Sequence, residues 1–260
     1  MKGLTFTCLL FMSQCVLAQS VMSPTIAIII DDMGHSYRNG ADLAELPYPL
    51  TLSFLPGRRY TNELVELALV YEKEIMLHVP MENKKGFALG KGALTSHMTE
   101  GQLKKSLRAS LASLPIAKGI NNHMGSLLTT RKKSMDWVME TIQGNRYYFV
   151  DSRTDSSSVA ANSAERHGIP NLSRDVFLDH EKTPSYIRDQ FTKLIKIAKE
   201  RGTAVAIGHP HKTTVNFLRK NLSKLGKQGI SIATISGLLQ VRNPDIRYEF
   251  MLAQAKTPYQ

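Results

Sequence analysis

A regular alternation between short apolar runs and segments with helical spacing is the feature that most constrains how this chain folds. The run TIAIIIDD at residues 25–32 is apolar up to its two acidic residues, which is typical of a strand buried on both faces. Between such runs lie segments like 102–114, where Leu103, Leu107 and Leu111 recur every four residues. Alternating strands and helices predict a parallel α/β architecture, because a parallel connection needs a crossover that a helix usually supplies.

The pattern predicts eight strands and six helices. The strands cover residues 25–32, 51–56, 74–79, 118–123, 147–151, 175–178, 203–208 and 230–235. The helices cover residues 60–73, 102–114, 134–143, 158–167, 185–200 and 215–227. The segment 82–99 shows neither pattern and predicts a long loop over one end of the sheet. A closed barrel and an open doubly wound sheet both fit, but no glycine-rich phosphate loop follows the first strand, which disfavours a nucleotide-binding fold.

The chain begins with a pattern typical of export. Met1-Lys2 is a positive start, residues 4–18 carry no charge, and Val16 and Ala18 stand at the cleavage positions before Gln19. This apolar run is shorter than the ~20 residues that span a bilayer, so a cleaved signal peptide at 1–18 is favoured over a membrane anchor. We expect an exported protein, periplasmic or secreted, with one domain over 19–242, a loose tail at 243–260 and no integral membrane segment after cleavage.

The composition limits which catalytic groups and partners the mature chain can have. Both cysteines, Cys8 and Cys15, lie inside the predicted signal, so the mature chain would contain no disulfide, thiol nucleophile or thiolate metal site. The chain has 33 Lys and Arg against 22 Asp and Glu, a formal net charge of +11. These charges are scattered along helical segments, which favours solvated helix faces over a nucleic-acid site, and we expect no nucleic-acid partner.

Polar side chains stand where six of the predicted strands end, and in a parallel α/β fold those ends share one face. They are Asp31 and Asp32, His78, the Asn121-Asn122-His123 triplet, Asp151 with Ser152, Asp179 with His180, and His209 with His211. Simpler explanations exist for single residues, since an Asp after a strand is often a helix cap and a His beside a proline is often a turn residue. The adjacent carboxylates of Asp31 and Asp32 are harder to explain that way, because they repel each other and need a compensating cation. We expect the two side chains to diverge, one toward a metal and one toward the substrate.

An Asp with two histidines is a usual ligand set for a catalytic divalent ion that keeps open positions. Such an ion lowers the pKa of its water toward ~7 and polarises a carbonyl oxygen. A nearby carboxylate can accept the proton of the water, and a histidine opposite can protonate the leaving group. The mature sequence has no Gly-x-Ser-x-Gly motif and no cysteine, so metal-assisted hydrolysis is favoured over covalent acyl catalysis.

The segments IAIIIDDMG, MLHVPME, INNHMGS, FVDSRT and AIGHPH resemble the divergent polysaccharide deacetylases (YibQ-like), distant relatives of the NodB-type carbohydrate esterases. The resemblance runs from about Thr25 to Leu239, nearly the whole mature chain. It implies an α/β fold, a single distorted (β/α) barrel of about seven parallel strands as in glycoside hydrolases and deacetylases. It also implies a metal at the carboxyl ends of the strands.

The same resemblance implies roles for individual residues. Asp31 matches the catalytic base, Asp32 and His78 match metal ligands, and His209 matches the general acid. Where the NodB-type pattern has a second histidine four residues after the first, Glu82 stands here, so His123 is the expected third ligand with Glu82 as its competitor. Asp151 and Arg153 are expected to orient a histidine, and the remaining candidates for supporting or alternative ligands are Asn122, Asp179 and His180. The arginine-proline motif of the NodB-type enzymes has no clear match.

The leading hypothesis is therefore an exported hydrolase with a divalent metal, most simply zinc, that removes N-acetyl or other acyl groups from an envelope polysaccharide. Manganese, cobalt and nickel also suit Asp/His sites. One alternative is an inactive protein on the same scaffold that binds metal, glycan or a protein partner in the envelope. The other is a glycosidase that uses a carboxylate pair such as Asp31 and Asp151, needs no metal, and places the pair ~5–9.5 Å apart.

Overall fold

One parallel sheet organises the computed structural model, which describes residues 23–144 and 147–244. The predicted signal at 1–18 and residues 245–260 of the predicted tail lie outside these ranges. The strands are β1 (Thr25–Met33), β2 (Thr51–Phe54), β3 (Glu74–Met81), β4 (Gly119–Met124), β5 (Tyr148–Asp151), β6 (Asn171–Ser173), β7 (Val176–Phe177), β8 (Thr203–Gly208) and β9 (Ser231–Ala233). The helices are α1 (Tyr37–Ala44), α2 (Thr61–Val70), α3 (Glu100–Ala112), α4 (Lys132–Ile142), α5 (Ala160–Arg166), α6 (Pro184–Arg201), α7 (Lys212–Asn221) and α8 (Ile235–Arg242). None of these helices is long and apolar enough to cross a bilayer.

The strand order makes a barrel that does not close. It runs β6-β5-β4-β3-β2-β1-β8-β7, and β9 pairs with the first residues of β1. Within the described ranges no ladder joins the two outer strands, β6 and β7, so the sheet stays open between them. The predicted single distorted (β/α) barrel is confirmed. It has nine strands, where the resemblance implied about seven and the pattern predicted eight; the strand that the pattern missed is β6, which is three residues long.

The alternation of side chains along β1 divides the apolar core into a part between the sheet and the helices and a part inside the barrel. Ile26, Ile28 and Ile30 pack outward among the helices that surround the sheet. Ala27 and Ile29 face inward, where they meet residues of the other strands and the apolar side chains of α8. Successive side chains of a strand point to opposite faces, so a strand covered on both faces must be apolar throughout. This burial explains the continuous apolar run at residues 25–30.

Helix α8 closes the amino end of the barrel through a buried carboxylate at the start of β3. Glu74 Oε1 accepts hydrogen bonds from Thr51 Oγ1 and Tyr148 OH, each at 2.9 Å. The same carboxylate accepts from the Ser236 backbone N–H, at 3.2 Å to Oε1, and from the Ser236 hydroxyl. Ser236 lies in the first turn of α8, where the exposed N–H groups and the helix dipole favour a negative charge. Burial and the Glu74 charge raise the pKa of Tyr148 well above its ordinary value, so the phenol stays a donor.

The structure corrects several element predictions. Helices α1 and α8 and strand β6 were not predicted. Helix α8 is buried through Ile235, Leu238 and Leu239 inside the barrel, so it lacks the long amphipathic repeat that marks a surface helix. The strand predicted at 230–235 ends as β9 at Ala233, because Thr234 caps α8. The helix predicted at 215–227 is α7, which ends at Asn221 and is followed by two 3₁₀ turns.

Replacing Glu74 by Ala is expected to lower the free energy of unfolding by about 3 kcal/mol or more, because several buried donors lose their acceptor together. Urea unfolding followed by circular dichroism measures this change. Glu74→Gln keeps one acceptor oxygen and should cost less than the Ala variant. Glu66→Ala, at an exposed position of α2, is the control and should stay within about 0.5 kcal/mol of the parent. If Glu74→Ala matches that control, the carboxylate does not hold α8 in place.

Candidate metal centre

The parallel register of β3 and β4 brings the candidate ligands to one end of the barrel. His78 is paired with Asn121, and Pro80 is paired with His123, near the carboxyl ends of these strands. Asp31 and Asp32 come from the carboxyl half of β1, where the pairing with β2 is irregular between Ile30 and Met33. Sequence-distant groups from three strands therefore meet at the end of the sheet where α/β proteins carry their sites.

The backbone at Asp32 turns both carboxylates of the pair toward His78. Asp32 has φ +57°, a left-handed conformation that only a small fraction of non-glycine residues adopt. This conformation interrupts the alternation of the strand, and the expected divergence of the two side chains is wrong. Asp31 Oδ2 lies 3.5 Å from His78 Nε2, and Asp32 Oδ1 lies 3.4 Å from the same nitrogen. A strained backbone at a cluster of charges is a common mark of a functional site.

Three side-chain atoms form the candidate centre: Asp32 Oδ1, His78 Nε2 and His123 Nδ1. His123 Nδ1 lies 2.9 Å from Asp32 Oδ1 and 3.2 Å from His78 Nε2. Asp32 Oδ1 is buried, yet among the described residues it has no hydrogen bond of acceptable geometry. A carboxylate oxygen without a hydrogen-bond partner and two imidazole nitrogens that converge on it fit a divalent cation, and the ligand types suit zinc.

Asn121 fixes the orientation of His78. Its Nδ2 donates to Asp31 Oδ1 at 2.8 Å, which identifies the other amide atom, Oδ1, as an acceptor. That oxygen accepts from Ser53 Oγ and from His78 Nδ1, each at 2.7 Å. The proton of the neutral His78 ring is therefore held on Nδ1, and the lone pair of Nε2 faces Asp32 and His123. The sequence showed Asn121 only as a polar residue at a strand end; its full burial beside a candidate ligand is a structural finding.

Burial and local charges separate the pKa values of the two adjacent carboxyls. Burial is the largest effect on Asp31 and raises the pKa of that carboxyl, although His78 and His209 oppose it. Burial also acts on Asp32, but the close approach of His123 and His78 outweighs it and holds the pKa of Asp32 far below its ordinary value. At His78, burial lowers the pKa, and the charges of Asp31 and Asp32 more than compensate, so the pKa is raised. Asp31 is thus the carboxyl that more readily takes a proton.

A histidine held by a buried aspartate approaches the centre from β8, the strand on the other side of β1 from those that carry His78 and His123. His209 follows β8, and its Nδ1 lies 2.9 Å from Asp179 Oδ1. Asp179 Oδ2 accepts from the His209 backbone N–H and from Thr214 Oγ1, each at 2.7 Å. His209 Nε2 is left facing the centre, 3.9 Å from Asp32 Oδ2. Burial lowers the pKa of His209, but the bond to Asp179 outweighs it and the pKa is raised.

Two further predicted residues hold loops around the site. Glu82, the competitor of His123, accepts the Ser96 backbone N–H at 2.6 Å and so anchors the 82–99 loop. Asn122 accepts from the Ser152 backbone N–H at 2.9 Å and donates to the Met124 carbonyl at 2.7 Å. Glu82 is not part of the group of atoms that converges at Asp32.

Asp151, Arg153 and His180 also stand apart from the converging atoms. The fully buried Asp151 accepts from the Arg153 backbone N–H at 2.8 Å and from Ser158 Oγ at 2.7 Å. Within the described ranges, no hydrogen bond joins Asp151 or Arg153 to a histidine. The exposed His180 ring meets Phe177 edge-on, with ring centroids 6.2 Å apart.

Arg174 is a neighbour of the site that the sequence did not reveal. It follows β6, one of the strands too short to leave a pattern. Its Nε donates to the Ser152 carbonyl at 2.6 Å and its Nη2 to the Arg153 carbonyl at 2.8 Å. The guanidinium therefore ties the loop after β5 to the end of β6 and has charge interactions with Asp151 and Asp31.

The Asp179–His209 pair leads to a pH prediction. Asp179 has a lowered pKa and His209 a raised one, so their mutual stabilisation is complete between the ordinary values of about 4 and 6.5. It declines as the pH rises through the folded pKa of His209, or falls through that of Asp179. Asp179→Asn is expected to lower the pKa of His209, read from the pH dependence of its ring signals by NMR. Asp175→Asn, which removes a carboxylate bonded to Val205 N instead, should leave the His209 pKa unchanged; equal values in both variants would contradict the pairing.

Comparison with known proteins places the chain in a family. The profile of the divergent polysaccharide deacetylases matches residues 28–239. The uncharacterized protein YibQ of Escherichia coli (strain K12) is 32% identical over 231 residues, which are 89% of this chain and 72% of that protein. The crystal structure of the uncharacterized protein ATU2773 from Agrobacterium tumefaciens C58 has the same fold, with a TM-score of 0.80 and 23% identity over 84% of this chain and 90% of that one. The chain belongs to the divergent polysaccharide deacetylase family.

Proposed function

We propose that this protein is an exported, metal-dependent hydrolase that removes an acyl group, N-acetyl in the simplest case, from an envelope polysaccharide. The observation that carries the proposal is the convergence of Asp32, His78 and His123, with Asp31 beside His78 and the Asp179–His209 pair facing Asp32. Family membership supports a carbohydrate substrate. Export is expected from the pattern of residues 1–18.

Asp32, His78 and His123 would hold the metal, for which zinc is the simplest candidate. A divalent ion bound there supplies an acidified water and polarises the acyl carbonyl. Asn121 prepares His78 for this role, because it takes the Nδ1 proton and leaves the Nε2 lone pair directed at Asp32 and His123. The carboxylate of Asp32 stays ionised because its pKa is lowered, so it is ready to ligate at neutral pH.

Asp31 would accept the proton of the attacking water. Its Oδ1 is occupied by Asn121 Nδ2, so Oδ2, the oxygen 3.5 Å from His78 Nε2, is the one free to act. Burial raises the pKa of Asp31, which makes this carboxylate a stronger base than an exposed one. The hydrogen bond from Asn121 also prevents the side chain from rotating away from the centre.

His209 would donate the proton that the leaving amine needs when the carbon–nitrogen bond breaks. Asp179 fixes the ring through Nδ1, so the Nε2 proton is directed at the centre. The raised pKa of His209 keeps that proton in place near neutral pH. The base thus lies beside His78 and the acid faces Asp32, so each has a place next to the metal position from which to move a proton.

The structure gives the glycosidase alternative little support. Both carboxylate oxygens of Asp151 are engaged, by Arg153 N and Ser158 Oγ, and the residue is fully buried. A carboxylate held in this way braces its own loop and has no free oxygen for a sugar. Asp31 alone cannot supply the pair that a glycosidase needs.

Metal content tests the centre directly. We expect about one divalent ion per chain in protein purified as residues 19–260, measured by elemental analysis after dialysis against zinc. Asp32→Ala and His78→Ala should lose it, since each removes one of three ligands. His167→Ala is the control and should retain the ion, because that histidine lies at the end of α5 and bonds the Ser163 carbonyl. Absence of metal from the parent protein would remove the hydrolase mechanism and leave a binding protein.

Asp31→Asn separates metal binding from turnover. We expect this variant to keep the metal and to lose about 10²- to 10⁴-fold in the rate of acetate release from N-acetylated envelope glycans, the usual contribution of a positioned base. Asp155→Asn, at an aspartate paired with Lys84 outside the centre, is the control and should keep the parent rate. Full activity in Asp31→Asn would refute its role. A metal-loaded parent that releases no acetate from a broad glycan panel would favour the binding-protein alternative.

A further inference from the structure

Arg58 lies where the loops that follow β1, β2 and β3 meet. It comes four residues after the end of β2, and its stem passes over Gly34, where an added Cβ would lie 2.8 Å from Arg58 Cβ. Its guanidinium reaches Gly90 in the 82–99 loop, where an added Cβ would lie 2.9 Å from Arg58 Nη2. Gly90 also has φ +90°, so the backbone there excludes larger residues for a second reason. The side chain is therefore held in a fixed place.

Among the described residues, no anion neutralises the guanidinium of Arg58. Its Nε is buried and, among the described residues, has no hydrogen-bond partner. No carboxylate in residues 23–144 and 147–244 forms an ion pair with it. A buried N–H that has lost its water and gained no acceptor costs roughly 1–3 kcal/mol. Arg174 lies near the same opening and shows the contrast, since its guanidinium donates to two backbone carbonyls.

A second unpaired cation crosses Arg58. Lys91 lies over Gly57, where an added Cβ would come within 2.7 Å of Lys91 Cδ and 3.5 Å of its Nζ. Arg58 thus reaches Gly90, which precedes Lys91, and Lys91 reaches Gly57, which precedes Arg58. In the part of the chain that the structure describes, Lys91 also forms no ion pair. Two crossed cationic side chains with no paired carboxylate among the described residues leave an excess of positive charge at this rim, which a bound anion would offset.

This cation pair borders the candidate centre. Gly34, under the Arg58 stem, follows Asp32 by two residues, and the 82–99 loop follows the strand that carries His78. The His35 ring lies within range of charges from both regions. Burial and then the charge of Arg58 lower the His35 pKa, and charge interactions with Asp32 and His123 also affect it. A glycan positioned at the centre would therefore pass beside Arg58 and Lys91.

We propose that Arg58 and Lys91 form a subsite for an oxyanion of the substrate, so that the preferred glycan is N-acylated and also carries a carboxylate or a phosphate. This inference rests on the proposed function, because it concerns the same opening. The planar guanidinium binds either oxyanion through two parallel hydrogen bonds, and the lysine adds a mobile point charge. Because Arg58 Nε is buried, the terminal Nη groups of this half-buried side chain would make these contacts.

The test measures binding, so it does not depend on turnover. Calorimetry with the metal-loaded protein at fixed ionic strength compares three tetrasaccharides. One is an uncharged N-acetylglucosamine oligomer, one contains N-acetylmuramic acid with its carboxylate, and one is the uncharged oligomer with a phosphate ester. We expect at least one of the two anionic probes to bind about 10-fold or more tightly than the uncharged one, the difference expected of a charge-assisted pair. Comparison of the two anionic probes identifies which group the subsite takes.

Arg58→Gln should remove most of this preference and leave binding of the uncharged oligomer unchanged, and Lys91→Met should reduce the preference by a smaller factor. Arg59→Gln is the matched control. That neighbouring arginine is exposed, its guanidinium lies 5.3 Å from the Tyr60 ring centroid, and its loss should change nothing. Arg58→Lys keeps the positive charge but loses the planar guanidinium, so it should retain part of the preference. This variant also provides a test of the subsite if Arg58→Gln does not fold.

Equal binding of charged and uncharged probes by the parent, or no binding of any of them, overturns the subsite. Equal loss of both kinds of probe in a folded Arg58→Gln variant also overturns it. Failure of the proposed function gives a different result. Selective, Arg58-dependent binding of an anionic glycan with no acetate release would refute the hydrolase and keep the subsite.

Discussion

The parallel ladder between β3 and β4 is the constraint on which the candidate centre depends. It sets Asn121 beside His78 and His123 beside Pro80, and residues 121 and 123 share one face of their strand because they are two apart. Asn122 falls on the other face, which explains why it braces a loop instead of approaching His78. A slip of one residue would reverse these faces and disperse the histidines, and the buried sides of the strand prevent such a slip. The chemistry of the site is thus tied to the apolar core by backbone hydrogen bonds.

Much of this arrangement could be predicted from the sequence, because buried parallel strands are continuous apolar runs and the polar residues that end them are easy to identify. The continuous apolar run of β1, the polar residues after it and the histidines after β3, β4 and β8 predicted a parallel α/β fold and the residues that gather at the strand ends, and the family resemblance implied the barrel. Other features left no pattern. The left-handed backbone at Asp32, which brings both carboxylates to His78, has no signature in the residue types around it. Helix α8 is apolar because it fills the barrel, and strand β6, which delivers Arg174, is too short to show alternation.

The site also shows how one type of side chain acquires different properties from its surroundings. Asp31 and Asp32 are adjacent, yet burial dominates the first and two nearby imidazoles dominate the second, so their pKa values move in opposite directions. The two histidines both have raised pKa values but differ in the partner of Nδ1: an amide oxygen holds His78 and a carboxylate holds His209. The first arrangement suits a neutral ring that offers a lone pair, and the second suits a ring that carries a proton. The sequence identifies the candidate residues, but the hydrogen-bond partner of each side chain decides which chemical role it can take.

Glu74 and α8 have a consequence for access. The carboxylate holds the helix across the amino end of the barrel, so in the described part of the chain that end is covered and the candidate centre lies at the opposite end. Under the proposed function, a polysaccharide would meet this centre at the carboxyl ends of the strands and lie across the rim. A centre approached side-on in this way would reach groups in the middle of the polysaccharide as readily as those at its ends. The covered end of the barrel would then influence which positions along the polymer are modified, although it lies at the opposite end from the candidate ligands.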